Sequence, residues 1–181
     1  MNEFSQVILL LTLGMIPVVI FCRSLSCLIE IRREWRRRFL LVTGSYVLIY
    51  MVIFTGDPVN FTSAILLFLV CMWAACSGTR LKRLTVGLML ASTVLALNGL
   101  FDSCISSCLP GDWGKGWYEM QYFVFRFVPP LFLYLCIRHY RPERDFELSP
   151  SLWRLLLLLC IPPLGIVFSL VMFAPYNMAG E

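Results

Sequence analysis

Few residues in this chain have the type and spacing to do chemistry. Its single histidine, His139, sits in the charged run Arg138-His139-Tyr140-Arg141-Pro142-Glu143-Arg144, and no HExxH, GxSxG or phosphate-loop pattern occurs. An intramembrane cysteine peptidase needs a Cys and a His converging at one depth. Cys136 precedes His139 by only three residues, which on a helix makes a neighbour and not a dyad. A phosphoacceptor role for His139 needs an acidic partner beside the imidazole, and Tyr140 follows instead. The eight cysteines lie mostly within or beside apolar runs, where a thiol behaves as a small hydrophobe. Cys104 and Cys108 are the exceptions: they fall in a Ser-, Cys- and Gly-rich stretch that leaves open a disulfide or a simple helical turn. No zinc pattern surrounds them, so neither a metal nor a cofactor is expected and no catalytic residue is assigned.

Arg126 is the sharper signal. It interrupts the apolar run from Trp117 to Ile137, and a guanidinium in the middle third of a membrane span costs from ~3 kcal/mol to much more. It must face a partner or a wet cavity, roughly 9 to 13 Å below the boundary marked by Trp117 to Met120 at 1.5 Å per residue. Asn98 and Asp102 approach from the end of the preceding apolar run, and Glu119 from the start of its own. An Arg126 to Asp102 pair with Asn98 taking a further donor has two readings: an ion pair locking two helices, or an outward-facing polar pocket that binds a ligand. Pro129-Pro130 and Pro162-Pro163 fall near the centres of the last two apolar runs. Each pair deletes two backbone donors, giving a static kink, a hinge or a transporter-like midplane site.

The elements that must position these groups are apolar helices. The chain has 181 residues, 59% of them hydrophobic and only 14% charged, and a mean hydropathy of +0.79, which excludes an ordinary soluble domain. An all-α, polytopic transmembrane bundle of six spans is expected, forming one unit over 1–181, with spans at about 4–22, 39–55, 60–76, 84–101, 117–137 and 152–173. Met1-Asn2-Glu3 has no basic n-region and the first apolar run leads into arginines, so no cleaved signal peptide is expected. In the stretch 76–102, Gly87 and Ala91 form one close-approach face, and Ser92, Ala96 and Gly99 another, as bundle packing requires.

Basic residues set the orientation. Arg23, Arg32, Arg33, Arg36, Arg37 and Arg38 fall in the first connection, Arg80, Lys82 and Arg83 in the third, and Arg138, Arg141 and Arg144 in the fifth, while the second and fourth hold only Lys115. The positive-inside rule puts the odd connections in the cytosol and both termini on the extracytoplasmic side. Trp35, Trp73 and Trp153 are expected at the inner boundary, Trp113 and Trp117 at the outer. The stretch from Arg23 to Arg38, with Leu25, Leu28, Ile29, Ile31 and Trp35 interspersed, can continue the first helix along the headgroup layer, either as a solvated stop-transfer signal or as a lipid-binding segment. Nothing in the charge pattern suggests nucleic acid. The partner is the lipid bilayer, and a homodimer is left open.

Thr79-Arg80-Leu81-Lys82-Arg83-Leu84-Thr85-Val86-Gly87-Leu88, followed by Leu95-Ala96-Leu97-Asn98-Gly99-Leu100-Phe101-Asp102, resembles the membrane-embedded input region of bacterial sensor histidine kinases with a GHKL-type ATPase domain, relatives of the accessory-gene-regulator type of peptide-pheromone receptor. The resemblance covers the bundle in layout and the third connection and fourth span in sequence. It implies a two-component signal-transduction module in a bacterial cytoplasmic membrane that senses an extracellular peptide or small molecule. The family's dimerisation helix, phosphoacceptor and nucleotide-binding motifs have no counterpart here. With both termini outside, a further span would have to precede any cytosolic kinase, so the expectation is a truncated or stand-alone input module, of which only a longer parent would be a kinase. The alternative is a small transporter or channel-like protein with a midplane site at the proline-broken spans; a third reading is an accessory bundle that assembles with other membrane proteins.

Overall fold

The computed structural model describes residues 3–50, 58–108, 115–140 and 147–173. They form six helices: α1 (Glu3–Leu28), α2 (Trp35–Tyr50), α3 (Pro58–Ala75), α4 (Arg80–Cys108), α5 (Lys115–His139) and α6 (Pro150–Phe173). The protein is all-α, each helix covering one of the apolar runs. Local chemistry sets several starts. Pro58 and Pro150 occupy first helical positions, where a missing N–H costs nothing. Thr79 Oγ1 accepts from Lys82 N at 3.3 Å, and Ser149 Oγ accepts from Leu152 N at 3.4 Å, capping α4 and α6.

α4 is the axis of the assembly and packs against each of the five other helices. Around it, α5 lies against α1, α1 against α2, α2 against α3 and α3 against α6. The direction of the chain is fixed by side-chain contacts. Buried Thr85, early in α4, donates its hydroxyl to the carbonyl of Trp153, early in α6, at 3.3 Å. Phe61, early in α3, meets Phe168, late in α6, with ring centroids 6.0 Å apart. So α4 and α6 run in the same direction and α3 runs against α6, as alternating up-and-down connections demand.

Polar residues inside the helices close onto their own backbone: Ser24 donates to Ile20 O at 3.1 Å, Ser92 and Thr93 to Met89 O at 3.0 and 2.8 Å. The apolar part of the interior is built on Val18, Phe21, Leu48, Phe68, Leu90 and Val94, all fully buried. Phe21 and Phe68 link α1 to α3 across 5.6 Å.

Among the described residues two stretches, Arg80–Leu100 in α4 and Pro150–Ser169 in α6, are long and apolar enough to cross a membrane; Gly14–Leu28 and Val59–Ala75 are apolar but shorter. The two differ in surroundings, with half of the α4 window buried and only 17% of the α6 window. The outward side of α6 is a ridge of Leu155, Leu158, Leu159, Ile161 and Ile166.

The connections depart from the sequence expectation in one respect. α1 does not continue along Arg23 to Arg38 but ends at Leu28, and α2 begins at Trp35. Between them the chain is extended, and Ile31 forms an antiparallel bridge with Cys76 in the α3–α4 connection. Arg32 N donates to Ala75 O and Ser77 N to Glu30 O, both at 2.9 Å, and Ser77 Oγ adds a 3.1 Å bond to the Glu30 carboxylate. Gly78, at φ +115°, supplies the left-handed turn that leads from this bridge into α4. Trp153 also differs: at 5% exposure it lies inside the bundle, whereas Trp35 and Trp73 are exposed.

Gly87 is a close-approach point as expected, its Cα facing the Met72 and Leu69 side chains of α3. Gly44 is a second and tighter one. A Cβ there would sit 2.8 Å from Cys71 Cβ and 3.4 Å from the Phe68 Cα, atoms close to the α3 backbone that cannot swing aside. Gly44→Ala should therefore destabilise the α2–α3 contact by about 1–3 kcal/mol. Gly87→Ala, which meets the flexible Met72 thioether, should cost less. Thermal unfolding in detergent ranks the two, and adding Cys71→Gly to Gly44→Ala should recover much of the loss; equal costs at Gly44 and Gly87 would refute the packing argument.

Candidate functional site

α5 is where the sequence departs most from an apolar helix. It runs without interruption from Lys115 to His139 through Pro129 and Pro130. Arg126 lies near its middle, roughly 16 Å from one end and roughly 20 Å from the other at 1.5 Å per residue. It is only 3% exposed, and α5 packs against α1 and α4. The guanidinium is thus held inside the bundle, where burying a charged group is costly.

Asn98 is the second such group. It is 4% exposed in α4, and neither atom of its carboxamide has a hydrogen-bond partner among the described residues. Measured from their basic ends, Asn98 lies roughly 21 Å beyond Leu84 and Arg126 roughly 16 Å before Ile137, about one turn apart in depth. Two polar residues at similar depth on packed neighbouring helices are the candidate site. Asp102 and Glu119 are placed on α4 and α5, but their side chains lie outside the described residues, and so does the expected ion pair with Arg126. Cys104 and Cys108 occupy the last turns of α4, also with side chains outside that set.

The two proline pairs have different surroundings. Pro129 and Pro130 are buried, whereas Pro162 is exposed and Pro163 half-buried, and α6 is likewise continuous through its pair. Among the described residues α5 and α6 pack on α4 and not extensively on each other. A shared midplane site between two broken helices would need them adjacent. With α4 between them, each pair can bend its own helix against α4 separately.

Other candidates for chemistry are accounted for by simple contacts. The His139 imidazole stands edge-on to the exposed Tyr140 ring at 4.8 Å, and Arg138 lies over Tyr134 at 6.0 Å. No cluster of His, Cys, Asp and Glu able to hold a metal is present among the described residues. At the basic end, Arg83 donates to Trp73 O at 2.9 Å and lies over the Trp73 ring at 5.0 Å. That double contact turns a topology-setting arginine into a clasp between α3 and α4. Lys82 is 8% exposed. Neither role was legible from sequence, since both arise from where the α3–α4 connection folds back.

Comparison of the chain with protein-family models, with curated proteins and with solved structures gave no match. The site therefore rests on its own geometry.

A buried carboxamide without partners costs about 1–3 kcal/mol. Asn98→Leu, close in shape and free of polar atoms, should match or exceed the parent's thermal midpoint in detergent. A loss as large as that of Gly44→Ala would instead show Asn98 bonded within the bundle as a structural group.

Proposed function

We propose that the chain is an integral membrane protein of six spans whose odd-numbered connections face the cytosol. In this reading it is the input module of a bacterial two-component signalling system, resident in the cytoplasmic membrane. It senses an extracellular ligand, a peptide or small molecule, at Arg126 and Asn98, with Asp102 and Glu119 completing the outer part of the site. The observation that carries this reading is the burial of Arg126 halfway along α5: a group so costly to desolvate is kept in a span where it binds.

The membrane part has further support. The first and third connections, both rich in arginine, are joined by the Ile31–Cys76 bridge, and the Thr85–Trp153 bond brings the start of α6 to that same end. The placement of the first and third connections and the start of α6 at one end agrees with the sidedness that the positive-inside rule asks of odd connections. The apolar ridge of α6 finds its solvent in lipid.

Signalling needs a state whose free energy the ligand changes. Pro129 and Pro130 lie one turn from Arg126 on the same helix, so a ligand drawing on the guanidinium would act on the bend of α5 against α4. The separation of α5 from α6 by α4 weighs against the transporter alternative, which needs both broken helices around one site.

Membrane integration is checked by alkaline carbonate extraction, after which the protein should remain with the membranes. For sensing, peptide fractions secreted by the producing cells should change hydrogen-exchange protection around residues 120–135 in the parent. Arg126→Ala should abolish that change without loss of insertion; an Arg126→Ala protein that still responds removes the pocket. Solute flux through liposomes carrying the purified protein alone would replace the sensor with the transporter.

A further inference from the structure

A groove of about 620 Å³ opens between the end of α1 and the start of α2, away from the Arg126 site. Its size lies within the ~300–1,000 Å³ usual for ligand sites. Its chemistry changes along its length in the same sense on both walls. On α1 the lining passes from Val19 to Arg23 and Ser26; on α2, which runs the other way, from Val42 and Leu41 to Arg38. Both walls are therefore apolar toward the middle of the bundle and cationic toward the connection. A shallower depression of about 240 Å³, lined by Met15, Ile16, Val19, Ile20 and Arg23, continues it along the outside of α1. Val19 and Arg23 belong to both. The floor is the α1–α2 connection, whose Glu30 carboxylate is engaged by Ser77 Oγ at 3.1 Å.

We propose that this groove binds one anionic phospholipid of the cytosolic leaflet, its phosphate between Arg23 and Arg38 and one acyl chain in the Val19 trough. Two guanidiniums against a single carboxylate leave the polar end with a net positive charge, which matches an anionic headgroup. The apolar continuation excludes a free phosphate as the natural occupant, since it would leave the trough unfilled. The bridge from Ile31 to Cys76 holds the floor, so a headgroup bound there would brace the first connection and, through it, the start of α4. The inference rests on the membrane reading and is independent of the Arg126 site.

Native mass spectrometry of the purified chain, offered equal amounts of phosphatidylglycerol and phosphatidylcholine, tests it. One phosphatidylglycerol should be retained in preference to phosphatidylcholine. Arg23→Gln and Arg38→Gln should each lower that retention about fivefold, the loss of one basic contact at an anionic surface. Cys27→Trp, which fills the groove without changing charge, should lower it too. Arg33→Gln, in the same connection but outside the groove, should not. A drop with Arg33→Gln equal to those of the two groove arginines would show diffuse attraction and overturn the site, as would displacement of the lipid by inorganic phosphate. A chain that stays in membranes yet prefers neither lipid defeats this inference alone. A chain released by carbonate defeats the membrane reading beneath it.

Discussion

The hydrogen-bonded junction of the first and third connections is the contact on which the rest of the bundle depends. Arg32 N to Ala75 O and Ser77 N to Glu30 O, on either side of the Ile31–Cys76 bridge, join the α1–α2 hairpin to the α3–α4 hairpin through the backbone, with Ser77 Oγ adding a bond to Glu30. Backbone groups have fixed reach, so the junction sets the relative height of four helices at once. It also satisfies donors and acceptors that would otherwise be stranded beside buried Ile29 and Cys76. Gly78 turns the chain from the junction into α4, and Arg83 then clasps Trp73. α4 is thus aimed by the junction, and every other helix packs on α4.

Packing among apolar helices depends on shape as well as on hydrophobicity. Gly44 lets α2 approach the α3 backbone, and Gly87 receives the Met72 side chain of the same helix. α3 is gripped on two sides by positions lacking a Cβ. Among the described side chains of α6, the buried ones are Trp153, Cys160 and Val167. They are seven residues apart, the spacing of one narrow seam. α6 is therefore attached along a line and leaves most of its surface to the surroundings.

Apolar runs translate directly into helices, which is why the run at 152–173 became α6 at Pro150–Phe173 with little change. The two arginine-rich connections, the first and the third, meet at the Ile31–Cys76 bridge. Contacts between residues far apart were not legible. Ile31 and Cys76 carry no pairing signal, since a two-residue bridge has no periodicity, and it is this bridge that ends α1 at Leu28 where the local pattern allowed helix to continue. Trp153 had the composition of a boundary residue, yet Thr85 of α4 reaches its carbonyl and draws it inward. At the candidate site the sequence marked Arg126 and Asn98 by polarity alone, and both are buried. Glycine is as common in loops as at helix contacts, so the tightness at Gly44 had no sequence counterpart at all.

The buried polar residues divide by whether they can satisfy themselves. Ser24, Ser92 and Thr93 have hydroxyls short enough to return to a carbonyl one turn back, so each is nearly neutral inside an apolar helix. Thr85 spends its hydroxyl on a neighbouring helix and fixes a contact. Asn98 and Arg126 are longer and carry more donors, and the Asn98 carboxamide has no hydrogen-bond partner among the described residues. A bundle selected for stability alone would have leucine at both positions, since burying either group is costly and apolar replacements of similar size are usually neutral or better. Here the apolar pattern gives way at two places at similar depth on adjoining helices. Both groups lie in one region of the α4–α5 contact, and their burial there sets that region apart from the apolar packing around it.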